Sequence, residues 1–165
     1  NALGQVIGED VLRALPRPYC SEFCTLLAPW LAEVTRTLER GSAFLIDYGY
    51  AHGGYYHAQR SAGTLRCHYR HRAHDDPLIL PGVQDITAWV DFDALTRAGT
   101  AVGLAVAAHS TQAEFLIAHG LDEVFAQAHA QVSDEAARYA LAQQVKRLTL
   151  PTEMGERFRV MQLRR

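Results

Sequence analysis

An amphipathic pattern marks the first well-defined element of the chain. Seven large apolar residues fall on one face of an α-helix, at intervals of one, three or four positions: Phe23, Leu26, Leu27, Trp30, Leu31, Val34 and Leu38. Pro29 suits the first position of a helix, and Gly41 can adopt the left-handed conformation that ends one. We therefore predict a helix over residues 28–40. The preceding segment contains Pro16 and Pro18 and is predicted to be irregular.

A continuous apolar run follows this helix. Residues 43–46 (AFLI) contain no polar position, which is typical of a strand covered on both faces in a parallel sheet. The run ends at Asp47, which precedes Tyr48 and Gly49. Ligands of open α/β sheets bind beyond the carboxyl ends of the strands. A carboxylate at this position is therefore a candidate functional group.

A segment rich in glycine, tyrosine and histidine interrupts the regular pattern over about residues 50–84. It holds five of the eight histidines, and we predict a long insertion with a hairpin around Thr64–Tyr69. Loops of this length inside a compact domain are usually functional or partly structured. Beyond the insertion, residues 85–90 are predicted to be extended, and Asp91 is predicted to cap a helix that ends near Gly99.

The last part of the chain alternates between strands and helices. Thr111 and Glu114 have the spacing of a capping box, which begins a helix. The predicted elements are a strand, three helices and a final strand, over residues 103–108, 111–120, 121–132, 133–150 and 158–163. This order predicts an α/β fold. It is compatible with the second half of a Rossmann-like sheet and with many other α/β folds.

The composition excludes some classes of function but does not identify one. The 165 residues carry a formal net charge of -2, so bulk electrostatics would recruit neither nucleic acid nor an anionic membrane. No apolar run approaches the roughly 20 residues of a membrane span, and no signal peptide opens the chain. The chain begins with Asn1 rather than Met, so we expect its true start to be missing. Three cysteines without a pattern indicate a reducing compartment: Cys20, Cys24 and Cys67.

Six strings, spread over nearly the whole chain, carry a family resemblance. Their residues, order and spacing resemble the MidA-type methyltransferases. The strings are FLIDYGY (44–50), YYHAQR with GTLR (55–66), HRAHDDP (71–77), PGVQDITAWVDF (81–92), TQAEFL (111–116), and KRLTLP with EMGERFRVM (146–161). The eukaryotic members of this family are mitochondrial complex I assembly factors that methylate a protein arginine.

The resemblance implies a class I methyltransferase that uses S-adenosylmethionine and has a mostly parallel, Rossmann-like sheet. Residues 1–165 would be the C-terminal part of its single domain. The family's glycine-rich cofactor loop and ribose-binding acid lie in its first half, and this sequence has neither. We therefore expect the missing N-terminal half to bind most of the cofactor, we assign no cofactor-binding residue, and we expect the isolated chain to be inactive. Trp89 stands where family members commonly carry His, so the role of that imidazole does not carry over.

Three residues are predicted to act on the methyl acceptor. A carboxylate can orient a cationic guanidinium and favour the form that develops in the transition state, so Asp47 is predicted to be catalytic. The alternative is an Asp that caps the following turn. Tyr48 is predicted to stack on the flat acceptor group, or simply to pack. His71 is predicted to bind substrate as a proton acceptor near the pocket; the alternative is a structural role as a hydrogen-bonding residue inside the insertion.

The histidines of the insertion do not predict a metal site. Cys67, His68, His71 and His74 lack the ligand spacing of a zinc finger or ribbon, so no metal is predicted. The expected partner is a protein substrate, with a respiratory-complex subunit as one candidate and with no nucleic acid. A cytoplasmic, bacterial-type enzyme is predicted, and the oligomeric state is left open. The alternative function is an assembly or interaction module that keeps the methyltransferase fold without catalysis.

Overall fold

A computed structural model describes residues 2–165, apart from the side chains at positions 2, 3 and 5. The helices in this range are α1 (Ala2–Ile7), α2 (Glu9–Ala14), α3 (Leu27–Val34), α4 (His52–Tyr55), α5 (Phe92–Ala101), α6 (Gln112–Ala118), α7 (Leu121–Gln131) and α8 (Glu135–Thr149). The strands are β1 (Ser42–Tyr50), β2 (Arg66–Tyr69), β3 (Arg72–His74), β4 (Asp85–Thr87), β5 (Val90–Asp91), β6 (Ala105–Thr111) and β7 (Phe158–Arg164). No helix within residues 2–165 combines the length and apolar character needed to cross a membrane.

The chain divides into two compact units. Unit 1 comprises Asn1–Val34 and Gly49–Val102, and unit 2 comprises Thr35–Tyr48 and Gly103–Arg165. Strand β1 begins in unit 2 and contributes its last two residues to unit 1.

Strand β7 is the central strand of unit 2. It pairs antiparallel with β1 on one side and with β6 on the other, where a bulge lies between Val106 and Ala108. The apolar side chains of β7 supply the most deeply buried residues of the unit, at 0–2% exposure: Val160, Met161 and Leu163. Helices α6 and α8 are linked by the Gln112 side chain, whose amide donates to the carbonyl of Leu148 at 2.9 Å.

Unit 1 contains the insertion that the sequence predicts. Strands β3, β2 and β4 form a three-stranded antiparallel sheet in that order. The end of β1 pairs in parallel with β5, the one parallel pairing within the described residues. Helices α3 and α5 pack together around side chains that are 0–3% exposed: Leu31, Phe92 and Leu95. A second cluster joins Ile7 of α1 to Tyr55 and Tyr56.

Most predicted elements are confirmed where local chemistry alone specifies them. The Asp91 carboxylate accepts the backbone N–H groups of Asp93 and Ala94, both at 3.1 Å, and so caps α5 as predicted. The Thr111 hydroxyl accepts the Glu114 N–H at 3.2 Å, and the Glu114 carboxylate accepts the Thr111 N–H at 2.8 Å. This reciprocal pair is the predicted capping box of α6.

Three predictions about the first part of the chain are wrong. The entry segment is not irregular throughout, because α1 and α2 form there and packing against the tyrosine cluster stabilises them. The helix predicted over 28–40 ends at Val34, where the β-branched Val34 and Thr35 lower helix propensity. A turn follows, in which the Leu38 N–H donates to the Thr35 carbonyl at 3.0 Å. Strand β1 is not covered on both faces: Phe44 and Ile46 are 49% and 53% exposed.

The end of β1 requires a residue without a side chain. A Cβ atom on Gly49 would overlap the backbone oxygen of Val90 and lie 2.8 Å from the Val90 backbone nitrogen. Gly49→Ala is therefore expected to separate β1 from β5 and lower the free energy of unfolding by about 1–3 kcal/mol, measured from the urea midpoint. Gly53→Ala is the matched control, because its Cβ would meet nothing within 4 Å. Equal midpoints for the two variants would contradict this close approach.

Candidate functional site

Asp47 lies within β1 rather than beyond its end. The strand continues to Tyr50, so the prediction that the backbone leaves the sheet at Asp47 is wrong. The side chain is exposed, and its Oδ1 atom accepts the backbone N–H of Tyr48 at 2.8 Å. Asp47 stands in register with Arg159 of β7. The carboxylate is therefore open to a cationic ligand, although it does not cap a turn.

Tyr48 is half-buried beside Asp47. Its ring meets the ring of Phe158, its register partner on β7, edge to face with centroids 5.6 Å apart. This contact fixes one side of the Tyr48 ring within unit 2. The stacking of Tyr48 on a substrate stays a prediction.

His71 lies in the turn of the β2–β3 hairpin. His71 and its neighbour Arg70 both have left-handed backbones, with φ of 64° and 47°, as a tight two-residue hairpin turn demands. The His71 side chain is exposed. Asp47 and Tyr48 are brought together on one strand of unit 2, whereas His71 belongs to unit 1. A substrate-binding role for His71 stays a prediction.

A histidine–aspartate pair that the sequence reasoning missed lies in unit 1. His52 Nδ1 is 2.8 Å from Asp91 Oδ2, and His52 Nε2 is 2.6 Å from the backbone oxygen of Ile7. Both partners are hydrogen-bond acceptors. The Arg97 guanidinium lies 3.7 Å from the same Asp91 oxygen. These contacts tie α1 to α4 and α5.

A guanidinium group of the chain itself stacks on aromatic rings in unit 1. The Arg60 guanidinium carbon lies 4.1 Å from the centroid of the Tyr50 ring and 5.4 Å from that of Trp89. Arg60 also donates a hydrogen bond to the carbonyl of Gly54. Trp89 thus provides a surface for a flat cation, which a neutral imidazole would provide less well.

A second missed group centres on Glu22. Its Oε1 atom accepts the Thr64 backbone N–H at 2.7 Å, the Thr64 hydroxyl, and the Tyr55 hydroxyl at 3.4 Å. The Thr64 hydroxyl in turn accepts the Trp89 backbone N–H at 3.0 Å. Glu22 and Thr64 are 42 positions apart in the chain, and His52 and Asp91 are 39 apart. No local periodicity connects such residues, and of these four only Thr64 and Asp91 lie within the strings that carry the family resemblance.

Two tyrosines of this group ionise with difficulty. Burial raises the pKa of Tyr56 to about 12, with further contributions from the charges of Asp91 and Glu22. Burial also raises the pKa of Tyr55. The unfolded chain would release these protons near pH 10. The protonated tyrosines therefore contribute fully to the free energy of unfolding below this pH. That contribution is expected to fall as the pH rises from about 10 towards the folded-state pKa values.

Urea unfolding at a series of alkaline pH values measures this loss. Tyr56→Phe should remove part of the alkaline loss of stability, because it removes one of the buried phenols. Tyr139→Phe is the control, since Tyr139 is 68% exposed. An alkaline loss that is identical in wild type and Tyr56→Phe would contradict the assignment.

The cysteine and the histidines of the insertion do not gather at one site in the described structure. Cys67 is buried, which raises the pKa of its thiol, and it stands opposite His74 in the β2–β3 register. Neither ring nitrogen of His74 has a hydrogen-bond partner among the described residues. Within residues 2–165, no group of three or more His, Cys, Asp and Glu side chains is placed to hold a metal ion.

Comparisons with known proteins point to a single enzyme family. A family model described as "Putative S-adenosyl-L-methionine-dependent methyltransferase" matches residues 5–110. The mitochondrial protein arginine methyltransferase NDUFAF7 of Mus musculus is 34% identical over 118 residues, which are 72% of this chain and 25% of that protein. The Rattus norvegicus protein is 33% identical over 118 residues, which are again 72% of this chain and 25% of that protein. The chain thus spans about a quarter of the length of these relatives.

Two crystal structures of Burkholderia thailandensis proteins share the fold. One native structure superposes with a TM-score of 0.84 at 40% identity, covering 92% of this chain and 40% of that one. The other, described as a "COG1565 superfamily member and likely methyl transferase" bound to S-adenosyl-homocysteine, superposes with a TM-score of 0.82 at 40% identity, covering 92% of this chain and 39% of that one. The predicted Rossmann-like methyltransferase fold is confirmed. The chain belongs to the family of S-adenosylmethionine-dependent methyltransferases of the MidA type.

Proposed function

We propose that the protein to which this chain belongs transfers a methyl group from S-adenosylmethionine to an arginine side chain of another protein. The observation that carries the proposal is the likeness, at 40% identity and a TM-score of 0.82, to a structure that holds S-adenosyl-homocysteine. That molecule is what remains of the cofactor after its methyl group has left. The acceptor class is supported by the mammalian relatives, which are named protein arginine methyltransferases.

Gly49, Gly53 and Gly54 do not have the arrangement of a glycine-rich nucleotide-binding loop. Gly49 packs against the Val90 backbone, and Gly53 and Gly54 lie inside α4 rather than in a loop before a helix. A lone group of glycines is weak evidence for such a site in any case. We propose that residues outside this chain hold most of the cofactor, which supplies a methyl group on a sulfonium centre when bound.

The residues of this chain would then act on the acceptor. Methyl transfer is an in-line displacement, so alignment of the guanidinium nitrogen with the methyl carbon is the main task of the protein. The exposed Asp47 carboxylate is suited to orient the guanidinium and to stabilise the positive charge that the acceptor gains as the N–C bond forms and the S–C bond of the sulfonium breaks. Tyr48 supplies an aromatic neighbour for a flat acceptor. A respiratory-complex subunit as acceptor and a cytoplasmic location stay predictions.

Titration with S-adenosylmethionine tests this function against the assembly-module alternative. A protein that joins this chain to a glycine-rich cofactor loop is expected to bind the cofactor with micromolar affinity by calorimetry, a range common for enzyme substrates. This chain alone is expected to bind none, and circular dichroism should show that it is folded under the same conditions. A longer protein that binds no cofactor would favour the non-catalytic assembly module. Micromolar binding by this chain alone would contradict the placement of the cofactor.

A further inference from the structure

Helix α3 is apolar on almost every side. Of its residues, Leu27–Val34, only Glu33 carries a polar side chain. A helix with one apolar stripe needs cover on one face, whereas a helix that is apolar nearly all round is typical of a position between several neighbours. The composition of α3 therefore predicts contacts on more than one face.

A row of large side chains along α3 is left open to solvent. Leu31 has no exposed surface, and α3 packs against α5 in unit 1. Leu26, Trp30 and Val34, in contrast, are 68%, 48% and 54% exposed. The Trp30 N–H donates to the Leu26 carbonyl at 2.9 Å, so Leu26 belongs to the first turn. Their spacing of four residues places the three on one side of the helix, which we name the open face of α3.

A row of this kind marks a surface that another part of a protein covers. Single exposed apolar residues are ordinary, but neighbouring large ones indicate a site of packing or binding. Tryptophan is enriched among the residues that contribute most to an interface once they are buried. The open face therefore indicates an occupant that has an apolar surface of its own.

The length of the similar proteins identifies that occupant. The two Burkholderia thailandensis structures align with 92% of this chain, which is only 40% and 39% of their own length. Both proteins therefore hold more residues outside the aligned part than within it. Because the layers of a domain enclose one hydrophobic core, a helix that is apolar nearly all round belongs inside that core.

We propose that the open face of α3 packs against the part of the protein that lies outside this chain. The occupant is an apolar helix or sheet face of that part, with Trp30 as the central contact. The proposal rests on the greater length of the family members and does not depend on methyl transfer. Since we place most of the cofactor in the same outer part, this contact joins the cofactor-binding region to this chain.

Hydroxyl-radical footprinting of the intact protein, the longer protein to which this chain belongs, measures the cover of Trp30 directly. Mass spectrometry gives the oxidation rate of each side chain in the native protein relative to that in urea. We expect this ratio to be as low for Trp30 as for Met161, which is 1% exposed. Tyr139 is the exposed standard, because it is 68% exposed and lies between Glu135 and Gln143 on a polar side of α8.

Trp30→Ala tests the same contact through the stability of the intact protein. If the outer part packs on the open face, the substitution leaves a cavity, and the melting temperature should fall by at least about 5 °C. Tyr139→Ala is the matched control, because it removes an aromatic ring from an exposed helical position. Its melting temperature should stay within about 2 °C of the wild type.

The outcomes decide between the possible occupants of the open face. Oxidation of Trp30 as ready as that of Tyr139 in the native protein, or equal melting temperatures of the two variants, would overturn the proposal. Protection of Trp30 that is lost on dilution to a monomer would assign the face to a second copy, and protection that needs an added protein would assign it to a partner; each would also overturn it. If Trp30→Ala does not fold, footprinting of the wild-type protein still decides. A covered Trp30 in a protein that binds no S-adenosylmethionine would contradict the proposed function and leave this contact standing.

Discussion

Asp47→Asn is expected to reduce methyl transfer by roughly 10²–10³-fold, the loss typical of one preorganised electrostatic contact in a transition state. The expectation applies to an intact protein that binds S-adenosylmethionine. The asparagine keeps the shape of the side chain, and its oxygen can still accept the Tyr48 N–H that Asp47 accepts at 2.8 Å. Only the charge is lost. Cofactor affinity and melting temperature should therefore stay close to those of the wild type.

Steady-state methylation, together with cofactor titration, measures this effect. Glu39→Gln serves as the control for a lost surface charge, because Glu39 is exposed. If Asp47→Asn methylates at a rate within about twofold of wild type, the change is far smaller than the loss expected for a catalytic contact. Asp47 would then have no part in the reaction. The catalytic group would then have to be sought among residues outside this chain.

Asp91→Ala is expected to produce the largest loss of stability. The carboxylate is 9% exposed, accepts from His52, lies near Arg97, and caps α5 through two backbone N–H groups. Removing the carboxylate leaves the His52 ring nitrogen without its acceptor, at about 1–3 kcal/mol, and leaves the first turn of α5 without its cap, at about 0.5–2 kcal/mol. The melting temperature should fall by roughly 10 °C for a chain of this length. The contact of His52 with Ile7 should weaken as well, so α1 should become more accessible to protease.

Asp91→Asn is the informative control for this prediction. Asparagine is a good N-cap, so the two N–H groups of α5 stay satisfied and only the charge is lost. An intermediate loss of stability is expected, measured by urea unfolding with the same slope as the wild type. Equal stability of Asp91→Ala and wild type would show that the contacts of His52 and Arg97 contribute nothing to the fold.

Local patterns predicted the parts of the fold whose chemistry is local. The Asp91 cap and the Thr111–Glu114 capping box each join residues two or three positions apart, so the sequence alone specifies them. The insertion was recognisable from its glycines and histidines. Its hairpin turn at Arg70 and His71 was found only approximately, because neither residue has the usual preference for a left-handed backbone.

The parts that the sequence did not predict depend on contacts between distant residues. Helices α1 and α2 are too short to be stable by propensity, and Ile7 packs on tyrosines that lie far along the chain. The Glu22–Thr64 contact is likewise distant, and no spacing rule anticipates it. Asp47 was identified by its place after an apolar run, but β1 continues past it to Tyr50 because pairing with β7 and β5 extends the strand.

The identity of the methylated residue tests the central claim most directly. The intact protein is incubated with S-adenosylmethionine labelled in its methyl group and with a mixture of acceptor proteins, and the labelled products are digested and sequenced by mass spectrometry. We predict label on arginine side chains, and a large reduction of that label with Asp47→Asn but not with Glu39→Gln. Label on lysine, on a carboxylate or on a small molecule, or no label from a protein that binds the cofactor, would contradict the account.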